Sequence, residues 1–103
     1  MRYIIITLVL LIGLNLNAQE KKAYQLENGS IKVEQFYPNG ELQQVSFYWN
    51  GVGTGTWLKY DEQGNLISKA RIENGRPVKL FRYENGITTI IDRKKNSITR
   101  IKP

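Results

Sequence analysis

Asp61-Glu62 is the only adjacent pair of acids in the chain, and paired carboxylates are the first place to look for acid–base chemistry. They stand between Tyr60 and Gln63-Gly64, a turn context in which an Asp is explained by hydrogen bonds to its own local backbone. Glu34, Glu41 and Glu73 are isolated in the sequence, and no Ser or Thr has a general base that spacing alone puts beside it. The run Gly51-Val52-Gly53-Thr54-Gly55-Thr56 has the glycine content of a phosphate cradle. It lacks the Lys-Ser/Thr pair and the helix N-terminus that would hold the anion. His is absent, which removes imidazole base catalysis and the usual zinc, haem and copper ligand sets. No catalytic residue, cofactor or metal is expected, and the chain reads as non-enzymatic.

What chemistry remains is that of charge. The formal net charge is +6, unevenly spread. From 59 onward there are eleven Lys and Arg against five acids, and the last eleven residues carry Arg93, Lys94, Lys95, Arg100 and Lys102 with no acid. Such a tail has two readings. It can be a solvated edge strand, where Lys blunts edge-to-edge pairing. It can instead be a patch for acidic glycans, lipid headgroups or an acidic partner.

The elements that must position these residues begin after an apolar leader. Met1-Arg2 is followed by an apolar run that ends by Leu14 and then by Asn15-Leu16-Asn17-Ala18. This basic, apolar, small-residue order is that of a cleavable secretory signal. The run is shorter than the roughly 20 residues a spanning helix needs. A signal over 1–18 and a folded domain over 19–103 are expected, with the mature protein in the periplasm or secreted. Nucleic acid is not an expected partner there. Cys is absent, so neither a lipoprotein anchor nor a disulfide can be made, and a small exported domain must find stability elsewhere.

Glycine spacing organises the rest. Gly29, Gly40, Gly51, Gly64, Gly75 and Gly86 lie 11, 11, 13, 11 and 11 residues apart, and all but Gly64 follow an Asn. Asn-Gly is the strongest short hairpin signal, because both residues tolerate the positive φ of a type I′ turn. Asn96-Ser97 looks like a decayed copy. Between the turns, residues 31–37, 42–49, 56–60, 66–72, 78–83, 87–91 and 98–101 have strand composition, several with clean alternation. The expected fold is all-β: an antiparallel meander of successive β-hairpins in one elongated sheet of about seven short strands. Tyr37, Tyr60 and Tyr83, each 23 residues apart, should stack on every second strand as an aromatic ladder and lead into three turns of one kind. Gly51 serves a turn. Gly55 is expected to pass under Trp57 or Trp49, and Gly53 to mark the bulge behind the 13-residue interval.

The central unit, residues 48–66, resembles the bacterial MORN repeat variant, through Tyr48, Asn50, Gly51, Gly55, Trp57, Tyr60, Asp61, Gly64 and Leu66. The unit ending at Tyr83 departs from it, with Lys79 in place of the second Gly and Phe81 in place of the Trp. The resemblance, to YwqK-like proteins and to small exported members of Bacteroidota type, implies a repeat-built interaction module. The expected function is therefore an exported binding or scaffolding module that presents a twisted sheet to a protein or envelope component. Self-association into a homo-oligomer is one alternative. Anion or membrane-surface binding through Arg93, Lys94, Lys95, Arg100 and Lys102 is another.

Overall fold

The computed structural model describes residues 3–6 and 20–103, and every regular element among them is a β-strand. The strands are β1 (Tyr3–Ile6), β2 (Lys21–Leu26), β3 (Ile31–Phe36), β4 (Leu42–Trp49), β5 (Val52–Tyr60), β6 (Leu66–Glu73), β7 (Arg76–Glu84), β8 (Ile87–Asp92) and β9 (Ser97–Ile101). They follow one another across a single antiparallel sheet in chain order. The expected all-β meander is what forms. Apart from β1, the signal expected over 1–18 lies outside the described residues.

The strand count exceeds the expected seven by β1 and β2. The segment of β2, Lys-Lys-Ala-Tyr-Gln-Leu, has no clean apolar alternation. It pairs because the Asn28-Gly29 turn delivers it antiparallel to β3, with Ala23 opposite Val33 and Tyr24 opposite Lys32.

The turns fall into two classes, and Asn-Gly occurs in both. Asn50, Asn74 and Asn85 have positive φ, as do the glycines after them. These are two-residue loops, closed by Trp49 opposite Val52, Glu73 opposite Arg76 and Glu84 opposite Ile87. The loops at 26–30, 37–41 and 61–65 contain three residues, and only the glycine is left-handed. There Leu26 N donates to Ser30 O at 2.8 Å, Tyr37 N to Glu41 O at 2.8 Å and Asp61 N to Asn65 O at 2.9 Å. This is the type I turn followed by a left-handed residue that relieves the strand twist with one extra residue. The Tyr83 turn is thus not of one kind with those of Tyr37 and Tyr60, correcting the expected grouping. The turn before β9 keeps a left-handed Asn96 (φ 54) but spans 93–96, a longer loop than the expected copy of Asn-Gly.

A single layer has little interior. Val45 and Ile72 are the buried hydrophobic side chains among the described residues, and most other strand positions are half-buried. The strands have to hold one another by cross-strand pairs. One row on the face of Ile72 runs Trp57, Ala70, Leu80, Ile91, Ile98, each directly opposite the next. Val45 lies on the other face, opposite Leu58 and Glu34.

The register breaks most strongly between β4 and β5. Val45 faces Leu58 and Phe47 faces Thr54, so Ser46 alone spans what Gly55, Thr56 and Trp57 span on β5. Toward β6 the same residues stay in register, Gly55 opposite Ile72 through Lys59 opposite Ser68. β5 therefore buckles on one side only, which accounts for the 13-residue glycine interval. The roles of the two glycines are the reverse of those expected. Gly55 carries the buckle, at φ +77, and a Cβ there would make only ordinary contact with Phe47. Gly53 lies under the aromatic: a Cβ would come within 2.8 Å of Trp57 Cζ2. A smaller irregularity in β7 sits at Pro77, where a residue without an N–H can be accommodated in an interior strand.

These two causes can be separated by substitution. Gly53→Ala should destabilise through overpacking against Trp57, by about 1–3 kcal/mol. Gly40→Ala, at φ +89 with open space around it, should cost only the left-handed penalty of about 1–2 kcal/mol. Adding Trp57→Ala to Gly53→Ala should remove the overpacking part, while adding it to Gly40→Ala should not. Urea midpoints of the four variants check this; independent, additive costs in the Gly53 pair would refute the contact.

Candidate functional site

Of the residues named for the repeat, Tyr48, Gly55 and Trp57 meet at the buckle. Trp57 turns its indole back across it: Nε1 donates to Thr54 O at 3.0 Å and to Phe47 O at 3.2 Å. The ring then lies over Gly53 and meets Tyr48 at 5.4 Å between centroids, tilted by 53°. Asn50 and Gly51 form the two-residue turn that returns β5 against β4. Gly64 closes its three-residue loop by donating to Asp61 O at 3.1 Å.

Of the tyrosines expected to form a ladder, Tyr37 and Tyr60 are joined by a polar contact. Tyr37 Oη donates to the Tyr60 carbonyl at 2.7 Å, and Asn39 Nδ2 to the Glu62 carbonyl at 3.3 Å. Loops 37–41 and 61–65 are thereby tied across two strands. Tyr83 lies one residue before the end of β7, opposite Thr88, and leads into the other turn class.

Three carboxylates are committed to local structure. Asp61 Oδ1 accepts from Gln63 N and Asn65 N, both at 2.9 Å, and these backbone donors, Asn65 foremost, hold its carboxyl below the usual range. Asp92 Oδ1 accepts from Lys94 N and Lys95 N at 3.1 Å, and is lowered first by the Lys95 amide. Glu73 receives Lys94 Nζ at 2.8 Å, the main cause of its lowered pKa, with Arg71 Nε at 3.7 Å. Tyr24 is raised, chiefly by its hydrogen bond to Glu34. No group of three or more metal-ligating side chains occurs among the described residues.

The five basic residues singled out near the C-terminus do not form one cluster. Arg93, Lys94 and Lys95 lie in the β8–β9 loop, and Lys94 is paired with Glu73. Arg100 lies further along β9, the last strand in the sheet order, and Lys102 follows that strand. Cross-strand register gives Arg100 other neighbours. The row Lys59, Ser68, Arg82, Thr89, Arg100 runs across β5 to β9 on the face of Trp57, each residue opposite the next. Its cations stand on every second strand, about 10 Å apart, and all three are exposed. Lys59 and Arg82 were not singled out in the sequence, because they are far apart along the chain and become neighbours only through pairing. On the opposite face, Lys69 and Lys79 lie over the Phe81 ring at 4.7 and 5.6 Å. The two residues that break the repeat pattern, Lys79 and Phe81, thus contact each other. No helix among the described residues is long and apolar enough to cross a membrane.

Two segments match the MORN repeat variant, residues 30–50 and 54–74. Each is a hairpin of the sheet, β3–β4 and the main part of β5–β6 with its closing Asn. The sequence reading of residues 48–66 straddled the junction between them. MORN repeats are in general protein- or membrane-binding modules without enzymatic activity. No curated protein and no solved structure matches the chain.

The lowered carboxyls set an acid limit. A group whose folded pKa lies below its unfolded value binds fewer protons in the folded chain. Its stabilisation is complete above about pH 4, the ordinary carboxylate value, and is lost as pH falls through the folded pKa. The urea midpoint should therefore drop below about pH 4, and Asp92→Asn should shrink that drop by removing one contributing group. A midpoint independent of pH in this range would refute the assignment.

Proposed function

We propose that the chain is a non-enzymatic, exported binding or scaffolding module of the cell envelope, which presents a face of its sheet to a protein or envelope component. One observation carries this reading: among the described residues, the apolar row from Trp57 to Ile98 has no second layer packed on it. Secondary-structure layers ordinarily bury their apolar face against another element. Here Ile98, at the end of that row, remains 67% exposed. That Asp61, Asp92 and Glu73 are each engaged in a turn or an ion pair supports a non-catalytic role. The apolar leader with its basic start and Ala18 supports export to the periplasm or beyond, and the resemblance of residues 48–66 supports a YwqK-like member of Bacteroidota type. Expressed in a Gram-negative host, the protein should be recovered from the envelope or medium with an N-terminus near Gln19 and should retain an envelope component in a pull-down. An intact Met1 on cytosolic protein would overturn the compartment, and a stable oligomer that captures nothing would favour the structural, self-associating alternative.

A second reading is favoured by the row Lys59, Ser68, Arg82, Thr89, Arg100. Cations on alternate strands with hydroxyls between them suit an anionic surface, a route to membrane or acidic-glycan contact that shares Arg100 with the sequence-derived set. Such binding should weaken steeply with salt, since screening shortens from about 10 Å at 0.1 M to about 3 Å at 1 M. The double variant Lys59→Gln/Arg82→Gln should lose low-salt binding to anionic vesicles, while Arg93→Gln/Lys95→Gln should lose less. The reverse order would return the site to the β8–β9 loop.

A further inference from the structure

The face opposite the cationic row carries a cleft between the 26–30 loop and the β5 buckle. Phe47 and Trp49 supply its aromatic surface, and Asn28, Ser30, Thr54 and Thr56 surround it. Register puts these groups together, since Phe47 is opposite Thr54 and Trp49 is two residues further along β4. Three features distinguish it from an ordinary strand surface. No lining residue is charged, in a chain with 15 basic and 9 acidic side chains. Trp49 is 49% exposed, and no hydrogen bond holds its indole N–H among the described residues. The contrast with Trp57 is direct, whose indole N–H is shared between two carbonyls.

The cleft is also braced. Asn28 Oδ1 accepts from Ser30 N at 2.9 Å and from Ser30 Oγ at 2.6 Å, so the loop wall is fixed by its own side chains. Gly29 leaves room for the Trp49 ring, and a Cβ there would come within 3.1 Å of Trp49 Cζ3. On the other side the buckle pushes Gly55 away from the β4 ladder and presents Thr54 and Thr56 beside Phe47.

An exposed indole with a free N–H, ringed by hydroxyl and amide groups and lacking charge, matches one ligand chemistry well. A pyranose ring offers an apolar C–H face to stack on the indole and equatorial hydroxyls for the surrounding donors and acceptors. We propose that this cleft binds a sugar unit of a neutral glycan, with Trp49 as the stacking platform and Thr54, Thr56 and the Asn28 amide as polar contacts. The proposal rests on the binding-module reading and names its ligand class. It separates the two faces by chemistry, neutral sugar on one and anion on the other.

The test is fluorescence and calorimetric titration of the purified protein with cellohexaose, chitohexaose and maltohexaose. At least one should bind at millimolar concentration or tighter and change the tryptophan emission. Trp49→Ala should abolish the response, and the isosteric Thr56→Val should weaken it several-fold with an unchanged circular dichroism spectrum. Lys59→Gln/Arg82→Gln should leave it intact, and so should high salt. No response to any of the three sugars, or a response that survives Trp49→Ala in folded protein, would overturn the proposal. So would binding of an apolar dye that depends on Trp49 without any sugar response, which would make the cleft a peptide-docking surface. Capture of an envelope component that persists in Trp49→Ala while all sugars fail would overturn the ligand class and leave the binding-module reading standing.

Discussion

The sheet depends on a single indole. β5 carries two more residues than β4 across the buckle. Trp57 spans it, its one N–H donating to both Phe47 O and Thr54 O, and in doing so lays its ring along the sheet instead of away from it. In a two-layered protein a core side chain points into the other layer. Here the ring packs on its own layer, over Gly53, against Tyr48 and beside Ile72. That explains why Gly53 and Ile72 are buried in a molecule with so little interior. It also explains the order of the residues: a glycine to lie under the ring, a second to turn left-handed, and the tryptophan two positions later.

From this centre the hairpins propagate by turn chemistry. Of the three-residue loops, 37–41 and 61–65 share one end of the sheet and are tied to each other by Tyr37 and Asn39, while the loops at 50–51, 74–75 and 85–86 hold two residues each. The two loop types differ by one residue, and one residue is what flips a strand between faces. The single extra residues, Gln43 in β4, Ile67 in β6 and Val78 in β7, restore the alternation, and Trp57, Ala70, Leu80 and Ile91 stay on one side. Regularity along the sheet is thus kept by compensating irregularities. Pro77 fits in β7 for the same reason.

Much of this was legible in the residues. The glycine period and the alternation between turns define hairpins of the right length, and an antiparallel meander follows from short loops alone. What could not be read is which edge of a strand loses its partner. Gly53 and Gly55 are both glycines near an aromatic, and only the pairing of β5 with β4 and β6 decides which needs positive φ and which needs empty space. Asn-Gly likewise marks a turn without deciding its class, because Asn39 and Asn85 are followed by the same residue and differ in φ. The candidate sites were hidden for a related reason. A run such as Arg93-Lys94-Lys95 is visible in one dimension, yet in three its members point to a loop and Lys94 is neutralised by Glu73. Lys59, Arg82 and Arg100 are unremarkable apart and form a row only through register.

Among the described residues, the carboxylates Asp61, Asp92 and Glu73 each fix a loop or an ion pair. Recognition asks for a rigid surface with groups in register. A meander supplies that directly, because each strand adds one row element about 4.8 Å from the last. Nine strands thereby extend to about 40 Å in the longest dimension, and side chains from distant parts of the chain become a linear pattern. The alternation of the pleat then makes the two faces independent, so that a cationic row and an uncharged aromatic cleft can coexist in one layer without either perturbing the other.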